Sequence, residues 1–162
     1  QHIHVLLTYT AEKDTISFDD VSILSAGASY TTFDFNEALK SRSLPQLLRV
    51  FRSLLQNGED PVRLLGLTAS MIRLFLQLLT LLSSKHTIPD MAKLLGKNPY
   101  YLKQLLPSVQ RQYTIPDLTH AVSVLHDCDV SIKTGACKPL SALELALCQL
   151  CTSTTSPNSN AS

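Results

Sequence analysis

The stretch PVRLLGLTASMIRLFLQLLTLLSS, residues 61–84, decides the fold of this chain. Asp60 precedes it as a suitable N-cap, and Pro61 stands in the first turn, where a missing N–H costs nothing. Polar or small residues recur at spacings of three and four, which predicts one narrow polar stripe on a long helix. Because nearly every other position is apolar, we expect the rest of the helix surface to be covered. The stripe consists of Arg63, Gly66, Ser70, Arg73, Gln77, Thr80 and Ser84.

This helix, about 36 Å long at a rise of about 1.5 Å per residue, would also span a membrane, for which about 20 apolar residues suffice. Arg63 and Arg73 argue against a span, since an arginine near the centre of a membrane costs about 3 kcal/mol. Their alignment with Gln77 and several hydroxyl groups fits a strip in contact with water. The pattern therefore favours the central helix of a soluble bundle, and a membrane-associated helical protein is the less favoured alternative.

The composition is that of one domain of ordinary size, or of one domain and part of another. Of 162 residues, 44% are apolar, and the net charge is +1, so no bulk charge would by itself recruit nucleic acid or an anionic membrane. The chain begins with Gln1 and shows no signal peptide, which leads us to expect that an N-terminal part is missing. Four irregularly spaced cysteines give no disulfide framework, and three of them lie in apolar helical patterns, which predicts reduced, buried thiols in a reducing compartment such as the cytoplasm.

Start and stop signals divide the rest of the chain into shorter helices. No stretch alternates with period two, so the predicted class is all-α, a helical bundle of seven to nine helices around the long central one. Residues 28–33 are predicted to be extended or loop, with Tyr30 and Phe33 available to pack. Residues 152–162 lack large apolar side chains and are predicted to be disordered. The predicted helices are the end of one in 1–11, one in 17–27, a short one opened by a capping box at Asp34-Phe35-Asn36-Glu37, and those at 44–57, 88–95, 98–111, 115–133 and 139–151.

The tetrapeptide Thr-Ile-Pro-Asp opens two of these helices, at residues 87–90 and 114–117. Each copy predicts a threonine N-cap, a proline in the first turn and an aspartate at N3 that caps in return. Pro107 removes one hydrogen bond inside its helix and predicts a kink there. The apolar residues predicted to face inward are Leu44, Leu47, Leu48, Phe51, Leu54, Leu55, Leu102, Leu105, Leu106, Val109, Leu118, Val122, Leu125, Cys128, Ile132, Leu140, Leu143, Leu147 and Leu150.

The cysteines raise two hypotheses about chemistry, both weaker than that of buried thiols. Cys148 and Cys151 have a Cys-x-x-Cys spacing that Cys128, Cys137 and His126 could complete to a zinc site, but the pair lies in a leucine-rich helix rather than a turn. His126 and Cys128 are two positions apart, so on a helix they point in nearly opposite directions and cannot act as base and nucleophile. No phosphate-binding loop or nucleophile elbow is present. We therefore assign no catalytic, metal-binding or cofactor-binding residue.

Two polar helix faces are candidates for binding a partner protein. Arginine and tyrosine are common in interfaces because they offer area and directed hydrogen bonds at modest entropy cost. Either face could equally be an ordinary solvated surface, and a contact with phosphates is a weaker alternative for the basic residues. The sequence does not rank the two faces. The candidate residues are Arg49 and Arg52 on the 44–57 helix, and Tyr100, Tyr101 and Lys103 on the 98–111 helix.

Five pieces of the sequence occur in a specific order from Thr15 onward. They are ISFDDVSIL (16–24), the segment 31–78, AKLLGKNPYYLKQL (92–105), YTIPDLTHAVSVLHDCDVSIKTG (113–135) and the leucine-rich last helix. Together they resemble the C-terminal part of the delta subunit of bacterial DNA polymerase III, a clamp-loader protein. Pro107 and the cysteine-rich end depart from the usual pattern, which affects the expected local helix geometry.

The resemblance implies a protein of three parts, two of which form an N-terminal AAA+-like module. Residues 1–28 would be the tail of the second part, 29–151 the helical collar domain and 152–162 a disordered tail. The family's clamp-loader role in DNA replication implies assembly of the collar with gamma/tau and delta-prime type subunits.

The resemblance further implies that the sliding clamp is bound through the N-terminal module, with primer–template DNA present in the full complex. The delta subunit itself is non-catalytic within a polymerase complex. The alternatives that remain from the residues are an unrelated soluble helical interaction domain and a zinc-binding helical enzyme.

Overall fold

The long apolar helix is the element that contacts most of the others. In the computed structural model, which describes residues 30–152, it spans Pro61–Ser83 and is named α3. The described part holds seven α-helices and no strand, which confirms the predicted all-α class. The other helices are α1 (Thr32–Lys40), α2 (Leu44–Gln56), α4 (Ile88–Leu95), α5 (Pro99–Gln112), α6 (Ile115–Lys133) and α7 (Pro139–Thr152).

The packing of α3 follows its sequence pattern. It contacts α1, α5, α6 and α7, while α2 lies against α1 and α7, and α4 lies against α5. All seven positions of the polar stripe are exposed, whereas Leu64, Ile72, Phe75 and Leu78 are fully buried. By length and composition α3 could cross a membrane, but half of its most apolar window is buried inside the fold. The predicted orientation of the helix about its axis is confirmed.

The predicted caps also form. The side chain of Asp60 accepts a hydrogen bond from the N–H of Val62 at 3.2 Å, and both Thr-Ile-Pro-Asp segments make complete capping boxes. Gly96 and Gly135 follow α4 and α6 with φ values of 60° and 72°, a conformation that glycine adopts at little cost. Pro107 lies inside α5, which continues beyond it to Gln112, and the kink remains a prediction.

The start of α1 differs from the prediction. Its capping box is formed by Thr31 and Asp34, not by Asp34 and Glu37, so the helix begins at Thr32, inside the region predicted to be extended. Thr31 and Asp34 have the same spacing as Asp34 and Glu37, and the earlier of the two overlapping patterns forms the cap. Phe33, predicted to be available for packing, lies in the first turn with 68% of its surface exposed.

The prediction of inward-facing residues is wrong at two positions. Val122 and Leu140 are 41% and 45% exposed, because α6 and α7 turn their small alanines into the core. The prediction followed the large apolar residues and left the alanines out of the face. The core of these two helices consists of Leu118, Ala121, Val124, Leu125, Cys128, Ala142, Leu143, Ala146, Leu147 and Leu150.

The chain ends need one correction. Helix α7 extends to Thr152, the residue at which the disordered tail was predicted to begin. The predicted helices within 1–27 and the rest of the predicted tail lie outside the described residues.

Candidate functional site

The residues considered for chemistry do not converge. Within residues 30–152 no group of three or more His, Cys, Asp or Glu side chains could hold a metal ion. Cys128 is buried, whereas His126 is exposed and lines a different groove. Burial raises the pKa of Cys128 and raises that of Cys151 to about 11, which keeps both thiols protonated and weakly nucleophilic at neutral pH.

The arginine face of α2 is partly used within the domain itself. Arg52 lies 2.7 Å from Oε1 of Glu144 through its Nη2 atom, and this ion pair joins α2 to α7. Arg49 is exposed and forms no hydrogen bond or ion pair with any residue that the structure describes. Of the two predicted arginines, Arg49 is therefore the one whose charge stays available to a partner.

The tyrosine face of α5 forms part of a groove with α1 and α3. Tyr100 and Tyr101 are 70% and 41% exposed, and Phe33 of α1 lies beside them. Burial is the main cause that raises the pKa of Tyr101, with a smaller effect from the charge of Glu37. Lys103 is exposed but does not line the groove. We call this surface the aromatic groove; its lining is Phe33, Asn36, Glu37, Lys40, Met71, Tyr100, Tyr101, Gln104 and Leu105.

The sequence did not predict this groove as a unit. Its tyrosines were found, but Phe33 was predicted only to be available to pack from a loop or extended segment, and Met71 was assigned to the covered side of α3. The groove therefore brings three large aromatic side chains together on one surface of the described part of the chain.

A second groove lies between α3 and α6, with a volume of about 460 Å³. Its lining includes the small residues Gly66 and Ala69 together with charged and polar groups. We call it the α3–α6 groove; its lining is Val62, Leu65, Gly66, Ala69, Arg73, Val122, Leu125, His126, Asp129 and Lys133. Gly66 is exposed in the middle of a helix, where glycine costs about 1 kcal/mol relative to alanine. A side chain at this position would meet open space, so packing within the described part of the chain does not require glycine.

A buried polar cluster around Arg42 holds three helices together and was missed altogether by the sequence reasoning. Nη1 of Arg42 donates to the carbonyl of Gln112 at 2.8 Å and to Oδ2 of Asp117 at 3.2 Å. Its guanidinium lies 5.0 Å from the ring centroid of Tyr113, whose hydroxyl donates to the carbonyl of Leu39 at 2.6 Å. The cluster thus links the end of α1, the end of α5 and the start of α6, and its role is structural.

Comparisons with known proteins agree with this fold. A family model described as the DNA polymerase III delta subunit, C-terminal domain, matches residues 29–150. The DNA polymerase III subunit delta of Bacillus subtilis (strain 168) is 26% identical over 151 residues, which are 93% of this chain and 43% of that protein. The solved Bacillus subtilis DNA clamp loader delta protein (YqeN) matches with a TM-score of 0.66 and 26% identity, covering 93% of this chain and 44% of that chain.

The chain spans less than half the length of these relatives. The family match confirms the resemblance inferred from the sequence and does not favour an unrelated helical domain or a zinc enzyme. Because the family model covers most of the chain, the chain belongs to the DNA polymerase III delta subunit family and carries its C-terminal domain.

Proposed function

We propose that this domain acts by assembling with other clamp-loader subunits, so that the whole protein takes part in loading the sliding clamp during DNA replication. The family match over residues 29–150 is the observation that carries the proposal. The partners are gamma/tau and delta-prime type subunits, and the complex works on primer–template DNA in the cytoplasm, without a membrane. The domain supplies binding surface rather than a reaction.

The division of labour along the chain belongs to the same proposal. Residues 1–28 are the tail of an AAA+-like module, residues 29–152 the collar domain, which now includes the last residue of α7, and residues 153–162 a tail. The sliding clamp is bound by the N-terminal module and not by the collar. In this arrangement the collar determines which subunits are neighbours, and the rest of the protein contacts the clamp.

The aromatic groove is the better candidate for one subunit contact. Tyr100, Tyr101 and Phe33 together present exposed aromatic side chains, a residue class that is enriched at the centre of protein interfaces. The α2 face offers less, because Arg52 is already paired with Glu144. Arg49 and Lys103 are then assigned to the rims of contacts, where charges affect association rate more than affinity.

The experiment is size-exclusion chromatography of the full-length protein mixed with the gamma/tau and delta-prime type subunits. We expect a stoichiometric complex with the wild-type protein and a weaker one with Tyr100→Ala combined with Tyr101→Ala. Circular dichroism and a thermal midpoint serve as the folding checks, since both tyrosines are exposed enough for the variant to fold.

Leu145→Ala is the matched control, because Leu145 is a large apolar side chain of α7 with 60% exposure on another surface. If the wild-type protein does not join the complex, the proposed function is wrong. If the tyrosine variant and the Leu145 variant assemble as well as the wild type, the aromatic groove is not the contact.

A further inference from the structure

The α3–α6 groove lies on the other side of α3 from the aromatic groove. Met71 lines the aromatic groove and Gly66 lines the α3–α6 groove. Five residues at about 100° each place these two positions about 140° apart around the helix axis. In the proposed assembly with gamma/tau and delta-prime type subunits, a subunit that contacts two partners at once needs two separate surfaces. The two grooves meet this requirement.

The shape of the α3–α6 groove fits a helix. On α3 its lining runs from Val62 to Arg73, about three turns or about 17 Å. Val62 and Val122 are partly exposed at its edges, and the ridge of a third helix packs into a depression between two others. Because Gly66 and Ala69 are small, the backbone of an incoming helix could approach α3 closely. This approach would explain a glycine that packing within the described part leaves unexplained.

The charges around the groove favour an acidic occupant. Nζ of Lys133 lies 2.6 Å from Oδ2 of Asp129, so the one acidic side chain of the lining is already paired. Arg73 is exposed and forms no ion pair with the part of the chain that the structure covers. Arg73 is therefore the charged group of the lining that lacks a counter-charge in the part of the chain that the structure describes.

We propose that the α3–α6 groove receives an amphipathic helix of a neighbouring clamp-loader subunit, with its apolar ridge over Gly66 and Ala69 and an acidic side chain opposite Arg73. The inference rests on the proposed function, since it names the chemistry of the second subunit contact. It goes beyond that function because it places an amphipathic, acidic helix of the partner in the α3–α6 groove.

Gly66→Leu gives a direct test. The added side chain meets open space in the isolated chain, and leucine is a better helix former than glycine, so the variant should fold with an unchanged or higher thermal midpoint. The helix of the partner subunit and the new leucine side chain would compete for the same volume. We therefore expect the affinity of the full-length protein for the other subunits to fall about tenfold or more. Ser123→Leu is the control, because it adds the same side chain on an exposed position of α6 outside the groove.

Charge reversal gives a second, independent test. Arg73→Glu should weaken the association and Lys138→Glu, the same change on an exposed residue outside the groove, should not. The affinity of the wild-type protein should also fall with added salt more steeply than that of the Arg73→Glu variant.

The outcomes separate the two proposals. If the wild-type protein fails to assemble, the proposed function and this inference are both wrong. If it assembles, and Gly66→Leu and Arg73→Glu assemble as well as their controls, only the helix in the groove is wrong. If Gly66→Leu lowers the thermal midpoint, the comparison of Arg73→Glu with Lys138→Glu decides alone.

Discussion

The tetrapeptide Thr-Ile-Pro-Asp begins both α4 and α6 and forms the same local structure in each. The N–H of Thr87 donates to Oδ2 of Asp90 at 3.1 Å, and the N–H of Thr114 donates to Oδ2 of Asp117 at 3.1 Å. In return each aspartate N–H donates to the threonine hydroxyl oxygen, at 3.4 and 3.2 Å. Four residues in sequence therefore determine the cap, wherever the segment lies in the fold.

The surroundings of the two copies are different. Asp90 is exposed, while Asp117 is buried and lies 3.2 Å from Nη1 of Arg42, 75 positions earlier in the chain. Arg42 holds this position with a φ of +53°, in the left-handed region that residues other than glycine rarely adopt. Asp90 is thus a local cap only, whereas Asp117 is a local cap that also makes a long-range contact with Arg42, and the sequence motif is the same in both.

The largest expected effect is that of Asp117→Ala. Removing the carboxylate takes a partner from a buried guanidinium and also weakens the cap of α6, so we expect a loss of about 3 to 5 kcal/mol in the free energy of unfolding. Asp90→Ala removes only an exposed cap and should cost much less. Urea unfolding of both variants measures the difference, and equal midpoints would show that the buried surroundings of Asp117 add nothing.

A double-mutant cycle with Arg42→Met and Asp117→Asn tests whether the two side chains stabilise the domain as a pair. If the two side chains act as a pair, the double variant should lose less than the sum of the single losses, by about 1 kcal/mol or more. Additive losses would mean that the two residues stabilise the domain separately.

The second prediction applies the same contrast to two neighbours within α3. Leu78 is fully buried and Gln77 is exposed, so Leu78→Ala should cost about 2 to 5 kcal/mol. Gln77→Ala should stay within about 0.5 kcal/mol. Denaturant unfolding of both variants is the measurement, and equal effects would mean that α3 is turned differently about its axis.

The sequence was informative where structure depends on near neighbours. The caps at Asp60, Thr87 and Thr114 and the polar stripe of α3 follow from spacing alone, because a helix turn brings together residues three and four apart. The contact of Arg42 with Asp117 could not be predicted from spacing. The two residues are 75 positions apart, one between α1 and α2 and the other in the first turn of α6. The exposure of Val122 depends on how alanines of α6 and α7 pack, which is also a tertiary property.

The same limits applied to the candidate sites. Tyr100 and Tyr101 were selected by residue type, but their grouping with Phe33 and Met71 requires the positions of three helices. The polar stripe contained Gly66, and its exposure was predicted, yet a groove beside it appears only when α6 is placed against α3. The family resemblance, by contrast, came from the order of sequence pieces and did not depend on any of these contacts.

The third prediction concerns the two threonines, which should behave alike. Each hydroxyl serves the local cap, so Thr87→Ala and Thr114→Ala should each cost about 1 kcal/mol, the usual value of an N-cap. Thermal unfolding of the two variants and the wild type under the same conditions measures both losses. A much larger loss for Thr114→Ala would mean that the hydroxyl helps to position Asp117 towards Arg42, and the local and long-range roles would then be coupled.

The smallest expected effect is the pH dependence of the exposed cap. Hydrogen bonds from the hydroxyl and the N–H of Thr87, with a smaller contribution from the charge of His86, hold the pKa of Asp90 below its usual value of 3.8. Since the pKa is lower in the folded state, the stabilisation is present above the unfolded pKa and is lost as the pH falls through the folded one.

Asp90→Asn should therefore lower the thermal midpoint at neutral pH, and the difference from the wild type should shrink below about pH 4, where the unfolded carboxylate begins to take up its proton. Thermal scans of both proteins between neutral and acid pH measure this convergence. Asp34→Asn should show the same trend, because the N–H and the hydroxyl of Thr31 lower the pKa of Asp34 in the same way. If the difference in thermal midpoint stays constant down to acid pH, the cap depends on the shape of the Asp90 side chain rather than on its charge. The charge of the motif aspartate would then matter only in the second segment, where Asp117 contacts Arg42.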